Sequence, residues 1–420
     1  MEAPLPANSP AGNSILERFP QFRAFSHRDF RLLWLGAFLS FMGSWIQNVA
    51  QGWLVYELTH DEAKLAFVTF CSMLPVSFLG PLAGTFADSF DKRRVLIFAQ
   101  TVFGLSALFL AASVYYGFVQ YWHIIAVALV NGVVSTLEMP ARQSVVSRVV
   151  PAEDLAGAVP LNALTFNVSR LLGPAVGALL LSQFGAQTCY LVNGISYLAL
   201  IFAVLTIRAD LRAVPRSPEP IADLVLDGMR YVFRDGRLKT LFVMEAIVSC
   251  FGLFYLALMP AIAKRMLGLD KAGLGVAMSF VGVGTITGLL LVTALSTRPY
   301  RAKIVGISMF LMGSGLFLLG FARSTWVAFP LLALIGGVAV MQFNTTNALF
   351  QLLSPERLRG RVLSMHVWAL SGLGPPGVLL FGWLAREASI PLSLHLGGAC
   401  VVLGSLWGYA HRHELLGVDA

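Results

Sequence analysis

KLAFVTFCSMLPVSFLGPLAGTF (64–86), ADSFDKRR (87–94) and VLIFAQTVFGLSALFLAASVYY (95–116) follow one another without a break. Each apolar run exceeds the roughly 20 residues that a helix needs to cross a hydrocarbon core of about 30 Å. Between them, Asp88, Asp91, Lys92, Arg93 and Arg94 crowd into one short segment. This order reads as helix, charged turn, helix, with the turn in water and both runs in lipid. Gly80, Pro81 and Gly84 do not argue against a helix, because neighbouring helices can satisfy the backbone groups they free.

The pattern repeats along the chain. Of 420 residues, 57% are apolar and 12% charged, with a mean hydropathy of +0.73, values that a domain with a water-facing charged surface does not reach. Twelve spans are expected: 30–56, 64–87, 93–116, 121–145, 157–183 and 188–207, then 239–263, 272–296, 303–321, 326–350, 361–384 and 390–410. The fold class is therefore an all-α polytopic membrane protein. The four cysteines, Cys71, Cys189, Cys250 and Cys400, lie far apart in apolar segments and have neither disulfide nor metal-ligand spacing.

A net charge of +8 invites a nucleic-acid reading, which the placement of the charges removes. Lys64, Lys264, Arg265, Lys271, Arg323 and Arg386 fall on one side of the expected membrane, Arg170 falls inside a span, and the remaining Lys and Arg fall on the side of the N-terminus. The positive-inside bias then puts both termini in the cytoplasm. The divisions expected are a tail (1–28), a first six-helix half (29–207), a linker (208–238), a second six-helix half (239–410) and a tail (411–420).

PRSPEP (215–220) marks the linker, within which Ile221, Leu224, Val225, Met229 and Val232 share one helical face and Asp223, Asp227, Arg230 and Arg234 the other. A short helix on the inner membrane surface is predicted. The halves echo each other: PAEDLAGAV (151–159) recurs as PERLRGRV (355–362), each followed by a span carrying Gly-Pro, Gly173-Pro174 and Gly374-Pro375. Internal repeats of this kind suit transporters whose halves rock about a midplane site.

GTFADSFDKRR (84–94) resembles the signature loop of the major facilitator superfamily, with Gly84, Asp88, Lys92, Arg93 and Arg94 in matching places. WLVYELT (53–59), MPARQSVV (139–146), LNALTFNVSRLLGP (161–174) and RGRVLSM (359–365) extend the resemblance beyond the first 20 residues to the enterobactin-exporter-like and macrolide or drug efflux subfamily. It implies the major facilitator fold of twelve helices in two pseudo-symmetric halves, and a multi-pass monomer of the inner or plasma membrane. The activity implied is secondary active export of an amphipathic drug, macrolide or siderophore-like compound by proton antiport, without a cofactor. The partners are then a small molecule, protons and the bilayer. Ser89 and Asp91 stand where the signature usually has a base and Gly, and STRPYRAK (296–303), the matching loop of the second half, has no acid. The resemblance also implies a gating latch in which Asp88 faces the start of the eleventh span, where Arg359 and Arg361 lie.

Arg170 sits midway through the fifth span, where a guanidinium costs about 3 kcal/mol or more unless it faces a partner or water. Glu138 of the fourth span, on one stripe with Asn131, Ser135 and Arg142, is the expected partner, as a static or a protonatable pair; Arg93 or Arg94 are alternative partners for that acid. Gly173, Pro174 and Gly177, with Arg170, resemble the antiporter motif of exporters, whose Pro bends the helix. Glu245 is the second intramembrane acid and, with Glu138 and Arg170, a candidate for coupling. The Arg that the family places four residues before Gly132 is Ala128 here, so proton coupling follows from the resemblance. Gln47, Gln51, Asn131, Asn344 and Asn347 are candidates to line the cavity, with Trp45, Phe343 and Trp368 near them in sequence. Each amide has a second reading as interhelical glue.

An intramembrane enzyme would need convergent nucleophile, base or metal ligands, and the seven scattered histidines offer no metal spacing. A non-transporting scaffold would not need a midplane Arg. An importer, or a translocator of lipid-like cargo, remains the nearest alternative.

Overall fold

The computed structural model describes residues 20–212, 221–295 and 301–411, and of residues 20, 21, 81–89, 221–225 and 357 the backbone alone. The tails beyond these limits, PRSPEP and 296–300 lie outside the described residues, as do the surroundings of Gly84 and the side chain of Asp88.

Apolar side chains that a water-soluble protein would hide stand outward here: Leu105 at 63% exposure, Phe202 at 63%, Leu290 at 65% and Leu403 at 65%. Lipid is the solvent for such a surface, and in lipid each segment must satisfy its own backbone, so the segments are helices. Among the described residues eleven stretches are long and apolar enough to cross a bilayer, and the longest, Ala152–Thr206, holds two helices that meet at Gly185. The helices of the first half are α1 (Arg28–Thr59), α2 (Glu62–Ser89), α3 (Lys92–Tyr115), α4 (Tyr121–Val146), α5 (Leu155–Phe184) and α6 (Ala186–Thr206). A linker helix, α7 (Ile221–Arg234), precedes α8 (Gly236–Phe251), α9 (Lys271–Leu295), α10 (Arg301–Leu319), α11 (Thr325–Leu353), α12 (Arg359–Gly372), α13 (Gly374–Glu387) and α14 (Ile390–Ala410).

Polar side chains end these helices abruptly. His60 closes α1 in the left-handed region (φ 48°), its N–H reaching the carbonyl of Tyr56, and Asp61 then caps α2 by accepting from the N–H of Ala63 at 2.9 Å and of Lys64 at 3.1 Å. Asp91 caps α3 through the N–H groups of Arg93 and Arg94, and Asp235 caps α8 through those of Arg237 and Leu238. Both copies of the repeated segment start with a proline, a single 3₁₀ turn (Ala152–Asp154 and Glu356–Leu358) and then a long helix.

Two spans read as continuous are broken. The seventh ends at Phe251 and resumes as Phe254–Ala257, Met259–Ala261 and a π turn, Ile262–Met266, because Gly252 and Pro260 weaken or remove the hydrogen bonds that would carry it on. The eleventh parts between Gly372 and Gly374. Pro375 and Pro376 both lack an N–H there, whereas Pro160 and Pro174, each single and more than three turns apart, leave α5 continuous.

Within the first half α1 packs on α5 and α6, α3 on α4 and α6, and α2 on α4; in the second, α8 packs on α12, α13 and α14, α10 on α11 and α14, and α9 on α11. With α12 and α13 counted as one span, the two patterns are the same after a shift of six. The halves meet through exchanged equivalents, α2 against α12 and α13, and α5 against α9. The linker helix was expected on the membrane surface; it docks on α12, with a Cβ at Gly228 only 2.7 Å from the carbonyl oxygen of Arg361 and Asp227 bound to Arg361 at 2.9 Å.

Candidate functional site: the junction of the two halves

The halves approach most closely at the face where α1 turns into α2, here called the far face; the face bearing the start of α1 is the near face. On α9, a Cβ at Gly275 would lie 2.0 Å from that of Ala178, and one at Gly282 would lie 2.8 Å from the Cα of Leu171. On α13, a Cβ at Gly382 would lie 2.1 Å from that of Ala66. Small residues let the backbones touch, which is how helices associate tightly in lipid. Trp368 of α12 adds a hydrogen bond across the junction, Nε1 donating to the carbonyl of Ser77 at 2.9 Å.

Three carboxylates of the first half meet three cations of the second at the far face. Glu57 lies 3.5 Å from Lys271, Asp61 3.5 Å from Arg386 and Glu62 2.7 Å from Arg265. Glu62 is 1% exposed and also accepts from Tyr56 Oη at 3.4 Å. Its hydrogen bond and its charge raise the Arg265 guanidinium above its ordinary value. Lys264 lies over the rings of Trp53 and Tyr56, 5.2 and 5.8 Å from their centroids. None of these cross-half partners was read from the sequence, since each pair joins positions some 200 or more residues apart.

The antiporter-like motif packs on α1. A Cβ at Gly173 would meet that of Trp45 at 2.4 Å, and one at Gly177 would meet the Cα of Ile46 at 2.9 Å, so no larger residue fits either place. Pro174 cannot donate to the carbonyl of Arg170, and that carbonyl oxygen instead lies 3.4 Å from the Cβ position of Gly282 in the other half. The carbonyl that Pro174 leaves without its helical donor thus lies at the junction between the halves.

Arg170 and Glu138 do not pair. Glu138 Oε1 accepts from Nε of Arg142 at 3.1 Å and from Nε2 of Gln100 at 3.4 Å, because Arg142 lies one turn along the same helix. Arg142 also covers the ring of Phe41, 3.9 Å from its centroid. The half-buried Arg170 guanidinium stands 5.9 Å from the Trp45 ring centroid and within electrostatic reach of Tyr255, with no ion pair among the described residues.

Gln47, expected in a cavity, is buried in a polar network between α1 and α6: Asn193 Nδ2 donates to its Oε1 at 2.6 Å and to Tyr197 Oη at 3.2 Å, and Ser44 Oγ lies 3.2 Å from the same phenol. Ser40, one turn from Ser44, donates to Gln100 Oε1 at 3.1 Å, so the network reaches Glu138. Of the other amides, Gln51 and Asn131 are half-buried and Asn344 is exposed with Nδ2 on the carbonyl of Val340. Asn347 takes Gln351 Nε2 at 2.5 Å.

Glu245, the second candidate acid, has one titratable side chain within hydrogen-bond reach among the described residues. His366 is that neighbour: Nδ1 lies 2.6 Å from Glu245 Oε2, with side-chain exposures of 3% and 0%. The histidine lies two turns into α12. A histidine inside an apolar span was the available signal. One turn along α8, Ser249 Oγ donates to the carbonyl of Leu370 at 2.7 Å, a second pin between the same helices.

At the near face the signature bases serve the ends of helices. Lys92 is fully buried with Nζ donating to the carbonyl of Phe90. Arg93 donates to the carbonyls of Leu205 and Ile207, capping α6. Arg94 is exposed, its N–H held by Asp91. Asp88, expected to face the start of α12, lies outside the described side chains.

A family model described as "Transmembrane secretion effector" matches residues 20–418. The staphyloferrin A transporter of Staphylococcus aureus is 26% identical over 382 residues, 90% of this chain and 95% of its own length. Macrolide efflux protein A of Streptococcus pyogenes is 23% identical over 386 residues, 89% and 93% of the two lengths. Among solved structures, the nucleoside transporter NupG matches with a TM-score of 0.72 at 16% identity, over 91% of this chain and 99% of that one.

Proposed function

Since the chain belongs to the transmembrane secretion effector family of the major facilitator superfamily, and is thus a multi-pass secondary transporter and not an enzyme, we propose that it exports an amphipathic organic compound in exchange for protons. In this reading the twelve spans of residues 29–207 and 239–410 form two moving halves. The tails 1–28 and 411–420 and the linker 208–238 lie in the cytoplasm, and the molecule works as a monomer. The basic loops put the near face inside, so the far face, drawn together by Glu57–Lys271, Asp61–Arg386 and Glu62–Arg265, is the outer gate in its closed state. That triple junction is the observation that carries the reading. A gate of ion pairs whose cations remain partly exposed, over glycine contacts, can open and close again, which alternating access requires.

Arg170 and the amides Gln51, Asn131, Asn344 and Asn347 are assigned to cargo, and Gly173, Pro174 and Gly177 to the bend about which the first half moves. Gly84, Asp88 and Lys92–Arg94 are assigned to the inner gate. Protons would be carried by a buried acid, Glu138 or Glu245. The relatives' names, a siderophore transporter and a macrolide efflux protein, support an organic cargo. Everted and right-side-out vesicles charged with a labelled macrolide or siderophore test direction: accumulation in everted vesicles, abolished by a protonophore, is expected. Accumulation confined to right-side-out vesicles would make the protein an importer.

A further inference from the structure

Glu245 and His366 bridge α8 and α12 in the interior of the second half, and the other oxygen of Glu245, Oε1, is buried without a partner. The ring of His366 lies 5.4 Å from that of Phe350 on α11. Phe350, Thr346 and Gln342 are spaced by four and so share one stripe of that helix, and all three are fully buried. Both amide atoms of Gln342 and the hydroxyls of Thr345 and Thr346 have no partner among the described residues. Buried polar atoms of this kind are ordinarily served by water.

We propose that Glu245 and His366 form the proton-binding site of the transporter, reached through water held along the Gln342–Thr346 stripe. With one proton shared between Nδ1 and Oε2 the pair has no net charge, which an apolar interior favours. Removing that proton leaves a carboxylate beside a neutral imidazole, a net negative charge that needs water around it. Loss of the proton therefore goes with opening of the helices around the pair. The link to the gates is short: two residues past His366, Trp368 is hydrogen-bonded to Ser77 of the other half.

Glu138 fits this role less well, because it is already paired at 3.1 Å with Arg142, a permanent cation one turn along its own helix. The charged and titratable groups on the elements packed against α8 are otherwise engaged or remote. Arg361 of α12 binds Asp227 of α7, Arg386 of α13 binds Asp61, and His395 and His411 of α14 bind backbone carbonyls. Arg230 pairs with Asp227 on α7 itself, Asp235 and Arg237 pair at the start of α8, and the thiols of Cys250 and Cys400 carry no charge at neutral pH. Arg359, Tyr231, Arg234, Lys239, Glu387 and Tyr409 are the other described titratable groups of these elements, and among the described residues the ion pair of Glu245 is with His366.

The inference rests on the proton-antiport reading for its purpose, but its test needs no cargo. Infrared difference spectra of the full-length protein in nanodiscs, titrated over roughly pH 4 to 10, read carboxyl protonation directly. Wild type and Glu138→Gln are expected to share one carboxyl band change that vanishes in Glu245→Gln and moves by a measurable interval of pH in His366→Gln, a variant that also serves if Glu245→Gln does not fold. A band that survives in Glu245→Gln or is unmoved in His366→Gln, or a wild type with no such band, overturns the proposal. Inward cargo movement with an intact Glu245 band would remove export and leave the proton site standing.

Discussion

Glu62, the first residue of α2, is 1% exposed and holds Arg265 of the opposite half at 2.7 Å, while the arginine side chain remains 57% exposed. The asymmetry decides what the contact is worth. Arg265 is well hydrated whether or not it is paired, so its own loss is small. Glu62 without it keeps a buried charge with one phenol for a partner, and Arg265→Ala should weaken the closed state by about 1–3 kcal/mol, roughly a five- to hundredfold change in the ratio of closed to open.

The glycine contacts predict a position-dependent series. Gly275→Leu must displace Ala178 and should force the far face open, whereas Gly177→Val drives into the backbone of Ile46 within one half and should lower thermal stability by about 1–3 kcal/mol. Gly306→Ala, with nothing within 4 Å of the new Cβ, should leave both stability and gating unchanged. Thermal midpoints with cysteine labelling at each face separate the three. Equal effects at 275 and 306 would remove the close-packing argument.

Arg170→Ala should abolish transport while the protein still inserts. The guanidinium is kept in the span although it costs about 3 kcal/mol or more there, and no acid among the described residues accounts for it. Lysine should rescue in part, since it keeps the charge and loses the planar fork. Transport assays beside a count of membrane-inserted protein read this, and normal transport by the alanine variant would free Arg170 of any role.

How far the sequence could be read follows from which forces are local. Lipid-facing runs such as 95–116 announce α3 within one residue at its C-terminal end, because burial in hydrocarbon leaves the backbone no alternative to a helix. Asp91 also reads locally, since a cap acts on its own next turn. What stayed hidden are contacts between distant segments. Glu138 was matched with Arg170 on another helix when Arg142 on its own helix was nearer. His366 lies 121 residues from Glu245, so no local pattern joins the two, and Asn193 and Tyr197 stand in an otherwise apolar run that gives no sign of their partners on α1.

Glu138→Gln should be a stability variant. It leaves the Arg142 guanidinium, 14% exposed, without its counter-charge, at about 1–3 kcal/mol, and proton-coupled transport should persist in protein that survives purification. A folded Glu138→Gln protein that binds cargo but moves none against a gradient would put coupling in the first half.

Asp235 gives a pH-dependent check on the linker. Burial pushes its carboxyl up, but hydrogen bonds from Arg237 and the N–H of Leu238, with the Arg237 charge, bring it below the usual range. A depressed carboxyl stabilises above its unfolded value of about 3.9 and loses that contribution as pH falls through the lower folded value. Asp235→Ala should therefore cost about 1 kcal/mol near neutrality, and its thermal midpoint should converge on the wild type's in acid. A constant gap across that range would mean that the carboxylate is not the cap.

Distances between the halves test alternating access most directly. Spin labels at Ser147 and Glu356 report the near face and labels at His60 and Arg323 the far face, measured by pulsed electron resonance in nanodiscs. The resting protein should show a short far-face and a long near-face distance. Arg265→Ala should lengthen the far-face distance and shorten the near-face one in the same fraction of molecules, and Glu62→Arg with Arg265→Glu should restore the resting pattern. Far-face distances that lengthen with no change at the near face would contradict two halves rocking about a common junction.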